Sequence, residues 1–257
     1  MRTDTEGIVL KHIKTSYNRK MIVLFSRKYG KIRAGPSIGE KGKTKSSLAL
    51  QSFTVGRYEL FVSRDNYNID AAEVLKTYYK ISDDLDKFMY GSYVLEFTEK
   101  VLEENVARPK VFDLLIEFLN LLETRDKGIG TLVLAYQTKL LGHAGVMPEL
   151  DKCTVCGRTM EKGAGDRFLS IDSGGVVCSK CATERGTGRQ EKTKTDALIY
   201  KDDFDIIDVI KYFAAVPLRK LENIALTETT GKELQQWIRE YASYHLDVSN
   251  IKSEKLI

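Results

Sequence analysis

Cysteine is scarce, four in 257 residues, and so are histidine, with three, and proline, with four. Four cysteines are too few to serve as a disulfide scaffold for a chain of this length. So little proline, with 19 glycines, argues against long disordered linkers. No stretch approaches the roughly 18 uninterrupted apolar residues of a membrane span. Met1 to Gly7 turns polar and charged at once, so neither a secretory signal nor a membrane anchor is predicted. His12, His143 and His245 are scattered, and no acidic pair has the spacing of a metal or acid–base site. No catalytic constellation is legible, and the chain is read as a non-enzyme. His245 falls on the inward face of a helical segment and is read as a satisfied core residue.

The composition, 42% hydrophobic and 30% charged, is that of a soluble globular protein. The length suits one large domain or two to three small ones. The net charge of +4 conceals an asymmetry. Residues 1–50 hold 12 Lys and Arg against 3 Asp and Glu, a surplus of nine; residues 51–80 balance; residues 81–257 are acidic by five. A basic N-terminal piece points to a polyanion partner, against the plainer reading of a solvated surface.

The first eighty residues read as β. Gly7–Ile13 and Met21–Phe25 are short apolar runs rich in β-formers. Arg27-Lys-Tyr-Gly30 is a turn in which Gly30 can take positive φ, and Lys31–Ala34 follows as a strand. Tyr58, Leu60 and Val62 alternate with polar or outward residues, as do Tyr67, Ile69 and Ala71. Five or so strands in this length predict a small closed or nearly closed barrel. From about residue 72 the period becomes helical. Leu85, Phe88, Met89, Tyr93, Phe97 and Val101 predict one helix face; Val111–Leu122 is apolar nearly all round. Further faces run through Ile129, Leu132, Val133, Tyr136 and Leu140, through Phe204, Ile207, Ile210 and Phe213, and through Leu234, Trp237, Ile238, Tyr241 and His245. The expected fold is α+β: an N-terminal five-stranded barrel over residues 1–80, a helical region over 81–257, and a cysteine module inserted at about 146–190.

All four cysteines lie in Cys153-Thr-Val-Cys156 and Cys178-Ser-Lys-Cys181, separated by 21 residues. Two such turns offer four thiolates to one ion, the donor set of a structural Zn²⁺ with no open position for catalysis. Gly157 lets the first turn bend, and Arg167–Gly175 reads as a strand into a turn linking the two. Lys152, Arg158, Lys162 and Lys180 lie close enough in sequence to offset the charge of a tetrathiolate site. A redox CxxC is the rival reading; it needs a βαβ context that the flanking sequence lacks.

Gly39-Glu-Lys-Gly42-Lys43-Thr44 ends like a phosphate-binding P-loop, but position 37 is Ser where the pattern needs Gly. The loop from Gly35 to Ser47 is better read as a mobile polyanion contact. Cations and rings interleave across the basic segment: Tyr17, Arg19, Lys20, Arg27, Lys28, Tyr29, Lys31 and Arg33, then Lys41, Lys43 and Lys45 on the loop. Single-strand binders combine such cations for phosphates with rings for base stacking. Phe25 is read as core.

The sequence resembles the RecO family of bacterial recombination mediators and DNA repair proteins. The resemblance rests on Gly7–Lys11 and Ile22–Arg33, on Gln51–Thr54 and Tyr58–Leu60, and on Lys139–Leu141, Gly145 and Pro148–Asp151. It continues in Cys153–Gly157, Gly174–Cys178, Cys181-Ala182, Tyr244–Leu246 and Ile251–Ser253. It implies an OB-fold, a helical region and an inserted zinc module. It also implies binding to ssDNA and dsDNA, ATP-independent annealing and a role in the RecF pathway. The implied partners are RecR, the C-terminal tail of single-strand-binding protein (SSB) and, indirectly, RecA. The implied location is cytoplasmic and nucleoid-associated. The SSB tail would dock on the helical region, where Lys110, Arg125 and Lys127 are the candidate rim. The loop from Ser37 to Ser47 is richer in lysine than the family suggests, which favours point-charge over bidentate phosphate contacts. A zinc-ribbon or OB-type RNA-binding protein and a thiol oxidoreductase are the alternatives.

Overall fold

The computed structural model describes residues 1–14, 20–36, 45–63, 66–160, 167–185, 199–202 and 205–256. The chain divides into two compact units, residues 1–129 with 250–257, and residues 130–249.

The first unit is built on a barrel. Its strands are β1 (Arg2–Lys14), β2 (Lys20–Ser26), β3 (Gly30–Pro36), β4 (Thr54–Ser63) and β5 (Asn66–Thr77), with the short helix α1 (Lys45–Ala49) between β3 and β4. They close in the order β1-β2-β3-β5-β4. All pairings are antiparallel except β3 with β5, where Ala34 lies beside Tyr67 in parallel. Val9, Ile22, Leu24, Ile32, Tyr58, Leu60 and Ile69 fill the interior. Alternation drives this packing, because every second side chain of a strand faces inward. Strand β5 departs from the predicted pattern in two ways. Strand β5 continues to Thr77, past the expected change of period at residue 72. A register shift between Glu59 and Leu60 opposes two pairs across an extra β5 residue. That bulge hands the inward position from Ala71 to Ala72, which is buried. The β2–β3 turn does use Gly30 at φ 71°; a Cβ there would meet the Val106 carbonyl oxygen at 1.9 Å.

Helices α3 (Leu85–Val101) and α4 (Pro109–Thr124) pack against the barrel, and α2 (Tyr79–Asp83) packs on α3 and α4. Asp84 caps α3, accepting the Lys87 N–H at 3.0 Å. Pro109 opens α4, where its missing N–H costs nothing. Helix α4 buries Val111, Phe112, Leu114, Leu115, Phe118, Leu119 and Leu122, as its apolar pattern predicts. Phe112 meets Phe25 edge-on at 5.4 Å, which places Phe25 in the core. The predicted face of α3 holds only in its second half. Leu85 is 72% and Phe88 40% exposed, while Gly91, Val94, Leu95 and Thr98 are buried beside Tyr93 and Phe97. Gly91 makes room for this: the Phe53 ring lies 2.8 Å from where its Cβ would be, so α3 is rotated to seat Phe53.

The second unit contains α5 (Ile129–His143), the hairpin β6 (Arg167–Ser170) and β7 (Gly175–Cys178), α6 (Ser179–Glu184), β8 (Ile199–Lys201), α7 (Ile206–Ala215), a 3₁₀ turn (Leu218–Leu221) and α8 (Glu228–Leu246). The strands form a sheet in the order β7-β6-β8. Arg167, the first residue of the central strand β6, is a buried hub: one guanidinium nitrogen lies 2.9 Å from Asp202 and 3.0 Å from Asp208. This pairs the hairpin with the segment after β8 and with α7. Helix α8 buries Leu234, Trp237, Ile238 and Tyr241, the predicted face. His245 is half-buried and donates through Nε2 to the Ile171 carbonyl at 2.7 Å, which satisfies it. No helix among the described residues is long and apolar enough to cross a membrane.

Candidate metal centre and nucleic-acid interface

The two CxxC turns meet in the second unit. A short bridge pairs Lys152 with Thr159, and the Cys153 N–H donates to the Arg158 carbonyl at 2.8 Å, so the first turn closes as a small hairpin. The second turn sits where β7 ends and α6 begins. The Glu149–Gly175 bridge docks the first turn on the second: the Val176 N–H donates to the Glu149 carbonyl at 2.8 Å, and the Glu149 N–H to the Gly174 carbonyl at 3.0 Å. The four sulfurs consequently converge, all within 4.8 Å of one another. Gly157 has φ 73°, the bend its position predicts. Cys153, Cys178 and Cys181 are buried and pack with Val177 and Ala182; Cys156 is exposed.

The donor chemistry fits a divalent cation. Burial opposes ionisation of Cys153, yet N–H groups of Cys156, Cys178 and Val155 outweigh it and hold the thiol down at about 6. The Cys178 N–H reaches the Cys153 sulfur at 3.4 Å. Cys181 moves the other way, pushed up to about 12 by the Cys178 thiol, by burial and by the other two cysteines. Two thiolates about 4 Å apart repel by ~4 kcal/mol at an effective dielectric of 20. Four cannot ionise together unless a cation sits among them, and four soft sulfurs in this arrangement suit zinc.

The barrel's cations stand in a different electrostatic setting. Arg27 donates from Nε to Glu6 at 3.0 Å and approaches Asp113 at 2.7 Å, with its guanidinium 4.6 Å above the Phe112 ring. The Asp113 hydrogen bond is the main reason its pKa is raised. Lys31 is buried, donating to the Glu99 carbonyl at 2.7 Å; burial lowers its pKa against the pull of Glu99 and Glu104. Arg33 makes two contacts to one Glu104 oxygen, at 3.0 and 2.7 Å, on the exposed surface. Lys28 is exposed; its ammonium donates to the Thr3 hydroxyl at 2.8 Å and lies 5.3 Å over the Tyr29 ring. Tyr29 also donates to Thr3, at 2.9 Å, and tilts against Tyr67 at 5.7 Å. Lys20 belongs to β2 and Lys45 to α1. Tyr17, Arg19, Lys41 and Lys43 lie outside the described residues.

The acidic partners Glu6, Glu99, Glu104 and Asp113 were invisible to sequence reasoning. Their contacts to the cations span long stretches of chain, and a lone carboxylate carries no pattern. Of the residues expected at a partner site, Lys110 and Lys127 are exposed. Arg125 is 8% exposed and donates from Nε to the Lys127 carbonyl at 2.6 Å.

Comparison with known proteins adds an independent observation. Residues 1–78 match the family model for the recombination protein O N terminal region, and residues 82–201 that for its C terminal region. A DNA repair protein RecO from Alkaliphilus metalliredigens is 26% identical over 98% of this chain and 97% of its own length. One from Caldanaerobacter subterraneus subsp. tengcongensis is 30% identical, over 95% of this chain and 93% of its own. One from Listeria monocytogenes is 26% identical over 98% and 92%.

Proposed function

This chain belongs to the RecO family of DNA repair proteins, and we propose that it acts as a DNA-binding recombination mediator. In this reading residues 1–80 are the nucleic-acid-binding domain. Residues 81–257 are the helical part, with a zinc module at about 146–190. The chain binds ssDNA and dsDNA, anneals complementary strands without ATP, and works with RecR to load RecA onto SSB-coated ssDNA in the cytoplasm. The observation that carries the reading is the near full-length family match of a chain whose closed barrel holds its basic segment.

The mechanism follows from charge. Two strands repel through their phosphates. Cations that neutralise both lower that repulsion and raise local strand concentration, so pairing accelerates without fuel. Each neutralised phosphate releases counterions, so binding weakens steeply with salt. Among the proposed contacts, Lys28 and Tyr29 present an exposed ammonium and a half-buried ring at one turn. Arg27, Lys31 and Arg33 already hold acidic or carbonyl partners, so phosphate must compete for them. Lys20, Lys45, Tyr17, Arg19, Lys41 and Lys43 complete the proposed interface.

Cys153, Cys156, Cys178 and Cys181 would hold one Zn²⁺, which supplies a structural crosslink between the two turns. Elemental analysis should give about one zinc per chain. The SSB tail would dock near Lys110, Arg125 and Lys127, its carboxylates meeting the two exposed ammonium groups. A tail peptide that shows no binding at ~100 μM would remove that surface from the proposal. The deciding experiment for the whole reading is annealing of two complementary oligonucleotides without nucleotide, at low and high salt. Fast annealing at low salt that collapses at high salt is expected; no acceleration at either salt would overturn the mediator reading.

A further inference from the structure

We propose that Cys156 is an oxidative modification site, at which a hydroperoxide opens the metal centre by forming a Cys156–Cys178 disulfide. The inference rests on the zinc reading above and extends it.

The centre is asymmetric. Cys153, Cys178 and Cys181 are 2%, 3% and 5% exposed, whereas Cys156 is open to solvent. Its neighbours Val155, Gly157 and Arg158 are exposed as well, so the first turn is the solvent-facing side of the cluster, with the Cys156 sulfur converging on the other three. A small oxidant therefore approaches the centre at Cys156. Lys152 and Arg158, both exposed, flank the same hairpin. The Cys156 and Cys178 sulfurs lie 3.8 Å apart. A bond between them needs a contraction to about 2.05 Å. The hinge of that movement is the exposed first turn, while Cys178 is anchored at the end of β7.

The chemistry balances. The Cys156 thiolate attacks one peroxide oxygen; an S–O bond forms, the O–O bond breaks, and the departing hydroxide takes a proton to become water. The Cys178 thiolate then attacks the Cys156 sulfur. The S–S bond forms, the S–O bond breaks, and a second hydroxide leaves as water with a second proton. Two thiolates are oxidised by two electrons and one peroxide is reduced. The site keeps two thiolates, too few for tight four-coordinate binding, and the cation is released. A dithiol reductant reverses the step.

The test uses the full-length, zinc-loaded chain, first assayed for zinc by elemental analysis. Hydrogen peroxide is added in substoichiometric steps with a chromogenic chelator present. Free thiols are alkylated at each step and the chain is mapped without reduction. The expected result is one zinc released for every two thiols lost, a first disulfide that contains Cys156, and recovery with dithiothreitol plus zinc. Iodoacetamide should also label Cys156 before the other three. Zinc retained with all thiols intact, at peroxide levels that fully oxidise free glutathione, would overturn the inference while leaving the zinc reading standing. A first disulfide among Cys153, Cys178 and Cys181 would do the same. A chain purified without zinc overturns both.

Discussion

Glu96 on α3 gathers the end of the chain: its carboxylate accepts the Lys252 N–H at 3.0 Å, the Ser253 N–H at 2.9 Å and the Ser253 hydroxyl at 2.6 Å. The Ile251-Lys-Ser253 segment that marks the family resemblance is thus a docking element for the first unit. Burial works to raise the Glu96 pKa, but the Ser253 and Lys252 hydrogen bonds, with help from Lys11, outweigh it and hold the carboxyl below its ordinary value. A carboxylate with a depressed folded-state pKa stabilises the fold at pH above its unfolded value of about 4.3, and that contribution is lost as pH falls through the folded value. Glu96→Gln should cost about 1–2 kcal/mol at neutral pH. In urea melts the gap between the variant and the native chain should close as pH falls below about 4. A gap independent of pH would mean that Glu96 acts through packing alone.

Arg27 and Lys28 are adjacent in sequence and opposite in setting, which separates stability from binding. Arg27→Ala removes an ion pair to Asp113, a contact to Glu6 and a cation over the Phe112 ring. It should lower unfolding stability by about 1 kcal/mol. Lys28→Ala removes an exposed ammonium whose contacts are the Thr3 hydroxyl and the face of the Tyr29 ring. It should leave the melt within about 0.5 kcal/mol and reduce the salt slope of DNA binding by about 0.9. Titrations of a labelled oligonucleotide at several salt concentrations would read both. A larger slope change for Arg27 than for Lys28 would reverse the assignment.

Periodicity is a local property, and it was legible wherever the local pattern decided the packing. The barrel interior, α4 and α8 follow directly from spacing, because their apolar stripes have no competing demand. The first half of α3 does not. Phe53 takes φ 59° and inserts its ring at Gly91, so the helix turns Gly91 and Val94 inward and leaves Leu85 outside. That choice is made by a residue over thirty positions away. The β5 bulge is a similar case: one extra residue reverses the alternation, and nothing in Tyr67–Ala72 announces it. The cysteine centre was legible because ligand spacing is itself short-range, yet which sulfur stays exposed depends on how the two turns dock. The basic segment was readable as charge. The groups that hold Arg27, Lys31 and Arg33 are Glu6 of β1 and Asp113 of α4, the Glu99 carbonyl of α3, and Glu104 of the loop between α3 and α4, and only the folded chain brings them there.

Docking of the two CxxC turns depends on Gly175. A Cβ at that position would lie 2.2 Å from the Glu149 carbonyl oxygen and 2.7 Å from the Glu149 nitrogen, both backbone atoms that cannot swing away. Gly175→Ala should push the Glu149 segment off β7 and carry Cys153 and Cys156 out of register with Cys178 and Cys181. By comparison with lost outer-shell support, zinc affinity should fall about 10–100-fold. Competition with a chromogenic chelator measures it. Unchanged affinity would show that the first turn finds the metal without the Glu149–Gly175 bridge.

Three lysines give the sharpest test of how DNA is held: Lys41 and Lys43, outside the described residues, and Lys45, which opens α1. Lys41, Lys43 and Lys45 alternate with Gly42 and Thr44, so this stretch carries charge without apolar residues to pack. Unlike Arg27, Lys31 and Arg33, which phosphate must win from carboxylate or carbonyl oxygens, lysines of this kind act as compact point charges. Changing all three to Ala should weaken binding at low salt and flatten the salt slope by up to about 2.7, three phosphates' worth of released counterions. Annealing rate should fall with it, because the same cations screen both strands. The fold should be unaffected, and a matching thermal melt is the control. An unchanged slope would take these three lysines out of the interface and leave the Lys28–Tyr29 turn and the other basic residues of the first 33 to track the backbone.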